Sequence, residues 1–314
     1  MLTSLKFLLP VAILFTTMFT ASAQKQKVWI DADTGNETDD IYAIVRALDE
    51  PSIEVVGLSS AHFNNADLVA FDKWNQYNTH PINTVQISQQ LNEEALQKTG
   101  KLNIPHPIGA DRQMGRAWGG REPRNSPAAQ QIIKAVQQLG KNEKLAVICL
   151  GALTNVASAM ALDTSIVSRL TLYVLGAQYN VNKAYWNKSE FNIRNDLNAF
   201  DYLLDNPKVN ITVMTITSAA SYRFNRDSLY AALSDGSPVK KMLKHRWIET
   251  NPDDKERTLW DLCLVEAFLN PGLVTTKEVL TPPENTPRLV KVFSWIDAEK
   301  LKMDFFGFLR GVRE

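Results

Sequence analysis

Cysteine and histidine are scarce in this chain: two and four among 314 residues. The two thiols, Cys149 and Cys263, lie far apart, each inside an apolar run (Val147-Ile148-Cys149-Leu150 and Leu262-Cys263-Leu264), with no metal-site spacing. That excludes a disulfide-rich scaffold and a zinc cluster, and predicts two buried thiols acting as small hydrophobes, with a disulfide between them allowed in an exported protein. Net charge is also lacking, since 34 Lys+Arg stand against 34 Asp+Glu and no run of basic residues breaks the balance. Nothing here attracts a phosphate backbone or an anionic membrane over distance, so a nucleic acid polymer is excluded as a partner class. Glycine and proline number only 14 each, and no Pro/Ser-rich linker or internal repeat divides the sequence. With 45% hydrophobic residues, the composition is neither disordered, collagen-like nor coiled coil. A chain of this length buries about 75% of its extended surface on folding.

No apolar run is long enough to span a bilayer comfortably. The longest candidate is N-terminal: Lys6, then Phe7 to Phe19 interrupted by Pro10 and two Thr, then Ala21-Ser22-Ala23 before Gln24. A short apolar segment after one basic residue, closed by a small-x-small triplet, predicts a cleavable secretory signal peptide over 1–23. No cysteine follows it, so a lipoprotein anchor is not indicated. The expectation is therefore a secreted or periplasmic protein, with no stable membrane insertion after processing, and one domain over 24–314.

Compact apolar or β-branched runs at Lys27–Ala32, Ile53–Ser59, Leu145–Leu150, Thr171–Leu175 and Val209–Thr215 predict strands covered on both faces. Between them lie helical patterns. Ile41, Ile44, Val45 and Leu48 follow the i, i+3, i+4, i+7 spacing, and Ile132, Ile133, Val136 and Leu139 precede Gly140 in the same way. Alternating strand and helix predicts an α/β fold, an open and mostly parallel sheet with helices on both faces, of Rossmann-like type. In such sheets ligands sit beyond the carboxyl ends of the strands. Two segments, at about 110–126 and 176–192, are too long to be simple connectors.

The most unusual segment follows the first strand. Asp31-Ala32-Asp33-Thr34-Gly35-Asn36-Glu37-Thr38-Asp39-Asp40 places five carboxylates in ten residues. Thr38 as a helix N-cap, with Asp39 and Asp40 complementing the helix dipole, accounts for two of them. Asp31, Asp33 and Glu37 remain, and like charges crowded in a tight loop repel unless a cation or protonation compensates. Dense hard oxygen donors without Cys or His predict a divalent cation of the Ca²⁺ or Mg²⁺ type. The spacing does not fit an EF-hand loop.

Asp33-Thr34-Gly35 leading to Asp39-Asp40 resembles the amino-terminal signature of the inosine-uridine-preferring nucleoside hydrolases, DTDxGxDD, with two extra residues before the Asp pair, as in a GNE-x-DD branch. Five further segments resemble that family in the same order. They are Ser59-Ser60-Ala61-His62-Phe63-Asn64 (with Asn65 adjacent), Pro107-Ile108-Gly109-Ala110-Asp111-Arg112, Leu150-Gly151-Ala152-Leu153-Thr154-Asn155, Glu190-Phe191-Asn192-Ile193 and Trp260-Asp261. Together they span roughly 27 to 271. The family's Asp-Val-Thr segment is replaced here by Thr217-Ser218-Ala219-Ala220-Ser221.

The resemblance implies a calcium-dependent hydrolase of the N-glycosidic bond of ribonucleosides, acting on a small-molecule nucleoside and forming a homo-oligomer. It implies Ca²⁺ held by Asp33, Asp40, the Thr154 carbonyl and Asp261. Asp39, Asn64 and Asn192 would hold ribose hydroxyls, and Glu190 the 5′-hydroxyl. Such cleavage passes through an oxocarbenium-like ribosyl cation and needs an activated water, for which Asp33 is the expected general base. Help for the leaving base is the open question. Trp260 stands where many members carry His, and Trp cannot donate a proton as an acid, which points to stacking and to a purine preference. Trp118, Tyr179, Tyr185 and Trp186 are candidates for a second aromatic wall, and His62 and His245 for the acid. Two other readings stay open at this level: a phosphatase using Asp31 and Asp33 as its Asp-x-Asp pair, and an exported calcium-dependent nucleoside or sugar binding protein without catalysis.

Overall fold

A computed structural model describes residues 25–63, 82–116, 119–234 and 236–311 of the chain. The expected signal peptide over 1–23, Asn64, Asn65 and Trp118 lie outside these residues. Among the described residues no helix is long and apolar enough to cross a membrane.

Among the described residues there are eleven strands: β1 (Gln26–Ala32), β2 (Ile53–Ser60), β3 (Leu145–Cys149), β4 (Leu170–Leu175), β5 (Gln178–Asn180), β6 (Tyr185–Asn187), β7 (Asn210–Met214), β8 (Arg223–Asn225), β9 (Glu256–Thr258), β10 (Val274–Leu280) and β11 (Leu289–Ile296). Seven form the central sheet, in the order β10-β11-β7-β4-β3-β1-β2. All neighbours in it are parallel except the edge pair β10–β11. The five strands legible from apolar runs are its central members and β2. They read clearly because both faces are covered: β3 is buried at every position, and the sheet separates two apolar clusters, one around Ile30, Ile44, Leu264 and Phe305, the other around Trp29, Ile133, Val147 and Leu203. β10 gave no such signal because most of its residues are exposed.

Two helices carry the acidic chemistry. Asp39–Leu48 follows β1 and packs chiefly on Trp260–Leu269. Their apolar faces meet, and Arg46 joins them through Glu266, Nε to Oε1 at 2.8 Å. The expected cap at Thr38 is absent: its hydroxyl pairs with Thr250 Oγ1 at 2.5 Å and Asn251 Oδ1 at 2.7 Å instead. Along the sheet the connection from β1 goes to β2 on one side, whereas β3 lies on the other. That reversal opens a crevice at the carboxyl ends of β1 and β3. Of the two long segments, 176–192 folds into the β5–β6 ribbon. Both cysteines are free and buried.

Candidate active site

The crevice is a cleft of about 300 Å³, lined by Asp33, Asp39, Asp261, Trp260, Glu190 and Asn192 among others. β1 ends at Ala32, so Asp33 is the first residue beyond the sheet. Asn36 closes a turn back onto its carbonyl at 2.8 Å. Gly151, just past β3, permits the close approach: a Cβ there would lie 2.7 Å from Asp33 Cγ. Asp39 and Asp40 open one helix, and Asp261 is the second residue of the other. The Asp261 main-chain N–H donates to Asp39 Oδ2 at 3.0 Å, which ties the two helix starts together.

Carboxylate oxygens of Asp39, Asp40 and Asp261 lie within 4.8 Å of one another. Asp33 stands beside this triplet. Asp33 Oδ2, Asp39 Oδ1, Asp40 Oδ1 and Asp261 Oδ1 are all buried with no hydrogen-bond partner among the described residues. Burial, and then the neighbouring negative charges with Asp40 foremost, hold the Asp33 and Asp261 carboxyls well above the usual carboxylate range. Burial followed by Asp39 does the same to Asp40. Buried carboxylates without donors are strongly unfavourable unless a cation or protons compensate. An all-oxygen donor set of this charge suits a hard divalent cation such as Ca²⁺. The tightest group thus includes Asp39, for which the sequence suggested a sugar contact.

Asp31 is withdrawn from the cluster. It belongs to β1, where its Oδ1 accepts from Ser59 Oγ at 2.5 Å and Asn155 Nδ2 at 2.9 Å. Thr154 begins the helix Thr154–Leu162 and is buried. Its hydroxyl donates to Asp196 Oδ2 at 2.5 Å and faces His62 Nε2 at 2.9 Å. A hydroxyl has one proton to give, so His62 is the donor to Thr154 and carries its proton on Nε2. His62 is therefore committed beneath the site. His245 lies on the exposed face of the helix Pro238–Thr250. Neither lines the cleft.

At the other end, Glu190 caps the short helix Phe191–Asn195, accepting from Asn192 N at 3.2 Å and Ile193 N at 3.2 Å. It also accepts from Ala177 N at 3.1 Å, fixing an alanine at φ +57°, a backbone region costly for a residue with a side chain. Burial pushes Glu190 up to about 7. The Asn192 amide donates to the carbonyls of Leu150 at 2.7 Å and Leu175 at 3.3 Å, and the residue lines the cleft. Both residues are thus rigid wall elements, held by the backbone that ends β3 and β4.

Of the four loop aromatics, Tyr179 and Trp186 pack on each other with centroids 4.9 Å apart and are buried in the core. Tyr185 is exposed. Among the described residues, the aromatic surface of the cleft is half-buried Trp260 and Phe191, and Ile216 also lines it. Phe191 was legible only as the centre of Glu-Phe-Asn. Gln178, Ser189 and Ile216 carried no sequence signal, because they reach the cleft through the ribbon and through the turn after β7.

Residues 28–292 match the family described as inosine-uridine preferring nucleoside hydrolase. Solved structures agree in fold. A plant nucleoside hydrolase, PpNRh1, is 18% identical with a TM-score of 0.68, covering 91% of this chain and 99% of its own. An inosine-guanosine nucleoside hydrolase is 15% identical with a TM-score of 0.70, covering 93% and 100%. A purine-preferring ribonucleoside hydrolase from Gardnerella vaginalis is 18% identical with a TM-score of 0.63, covering 91% and 98%. No curated protein sequence matches the chain significantly.

Proposed function

The chain belongs to the inosine-uridine preferring nucleoside hydrolase family, and from that premise we propose that it is a calcium-dependent, purine-preferring ribonucleoside hydrolase with Asp33 as general base. The observation that carries this reading is the set of four partnerless buried carboxylate oxygens beside a cleft that also offers Trp260 and Asn192.

Asp40 and Asp261, with Asp33 and the Thr154 carbonyl, are the expected holders of the cation, and the closeness of Asp39 to the first two makes it a further candidate. When bound, calcium offsets the carboxylate charge and polarises water and the ribose diol. Asp33, at the strand end and without a hydrogen-bond donor on Oδ2, takes the proton from the attacking water. Asp39 and Asn192 Oδ1 accept from ribose hydroxyls, contacts that strengthen as the ring becomes cationic. Glu190, already accepting three main-chain N–H groups, serves the sugar chiefly by fixing the wall that faces the 5′ end. Trp260 supplies a π-surface for the leaving base, which favours the larger purines.

The test is a panel of purine and pyrimidine nucleosides with Ca²⁺, following free base and reducing sugar. Faster release from inosine than from uridine is expected. Binding without release would make the chain a nucleoside binding protein, and release from a phosphomonoester alone would make it a phosphatase.

A further inference from the structure

The acidic loop is two residues longer than the family signature, and the extension is built into the cleft wall. Glu37 lines the cleft, as do Asn36, Asp39 and Trp260. Its Oε2 accepts from Arg257 Nη2 at 2.6 Å, and its carbonyl from Arg246 Nε at 3.2 Å. Arg246 Nη2 also reaches the carbonyls of Thr34 and Gly35, each at 3.0 Å. With Thr38 bound to Thr250 and Asn251, the loop is pinned from both ends to the helix Pro238–Thr250 and to β9. It is a rigid part of the site.

A fifth carboxylate beside Asp33, Asp39, Asp40 and Asp261 is repelled by all of them, so its presence calls for a reason. Neutralising Arg257 does not supply one, because Asp254 already accepts from Arg257 Nη1 at 2.8 Å. The Glu37 side chain is 42% exposed, and its Oε1 accepts no hydrogen bond from any described residue. A carboxyl oxygen fixed in the cleft lining that also includes Trp260 suits an N–H or NH₂ donor on the edge of a stacked base. A base that presents only acceptors there meets like against like.

We propose that Glu37 is a specificity-determining residue that selects leaving bases bearing an N–H or NH₂ donor, taking that hydrogen bond on Oε1. The inference rests on the hydrolase reading above. Guanosine carries such donors on its six-membered ring, and unsubstituted purine riboside carries none, so the pair isolates this contact. In Glu37→Gln the amide carbonyl keeps Arg257 and the NH₂ turns to the cleft. Glu37→Asp keeps the carboxyl but shortens its reach.

The experiment measures kcat/KM for both nucleosides in the calcium-loaded parent and in each variant, with thermal midpoints alongside. The expected result is a fall of about 10- to 100-fold in the guanosine-to-purine-riboside ratio in both variants, with midpoints near the parent's. An unchanged ratio in a folded variant, both substrates falling together, would make Glu37 a brace for Arg257 and overturn the proposal. A parent that cleaves no nucleoside would remove the hydrolase reading itself, and this inference with it.

Discussion

Asp33 and Trp260 divide the chemistry between water activation and base departure, and each can be tested alone. Asp33→Asn keeps a side-chain oxygen and nearly the same volume beside Gly151, but cannot take up a proton. Hydrolysis is expected to fall by about 10²- to 10⁴-fold with the thermal midpoint of the calcium-loaded protein retained. A variant with most of its kcat would remove Asp33 from the role of base. Trp260→Ala is expected to lower kcat/KM for inosine by about 10- to 200-fold, the equivalent of roughly 1–3 kcal/mol of base stacking. The fall should exceed that for uridine. An unchanged inosine-to-uridine ratio with a lowered midpoint would mean that Trp260 only packs its helix. At this scale the sequence was most legible where side chains of one chemical type crowd together: the carboxylates after β1 could be read directly. It was least legible where direction decides, since Tyr179 and Trp186 look like cleft aromatics in sequence and are turned into the core by the alternation of the β5–β6 ribbon.

The elements that aim these residues are two helices whose first turns converge. Asp39–Leu48 and Trp260–Leu269 are held side by side by apolar packing and by Arg46, which reaches Glu266, Glu50 at 2.6 Å and Asp304 at 2.9 Å. The Glu266 side chain has no exposure. Arg46→Ala leaves it buried without its cation, at a cost of about 3–5 kcal/mol. A drop in unfolding free energy of this size is expected in denaturant titrations, together with weaker calcium binding as the two helix starts drift apart. A loss below about 1 kcal/mol would mean that the ion pair contributes only as an exposed one does. The central strands and both of these helices were legible from periodicity, because burial on two faces or on one stripe leaves a pattern. The antiparallel edge β10–β11 and the short ribbons were not, because exposed strands of mixed composition and three-residue strands have too few core positions to mark them.

Across the whole molecule, the fold gathers acids from the loop after β1, from the helix that follows it and from a helix more than two hundred residues later, and it does so at the point where strand order reverses. The gathering costs stability without a cation. Asp33, Asp40 and Asp261 are raised well above ordinary carboxylates by burial and mutual repulsion. Between the ordinary value of about 4 and their folded values, the folded state holds protons that the unfolded state has released, so stability falls as pH rises. In chelator the thermal midpoint is expected to decline as pH rises above the ordinary carboxylate range, and calcium, by binding the ionised cluster of the folded state, should reduce that decline. A midpoint that rises with pH in chelator would contradict the assigned burial of charge. The most direct test of the site is ribose release from inosine by chelated protein as calcium is restored stepwise. Activity is expected to be lost on chelation and to return with one equivalent of Ca²⁺ in the parent, and to stay absent in Asp40→Ala; full turnover in chelated protein would contradict the account.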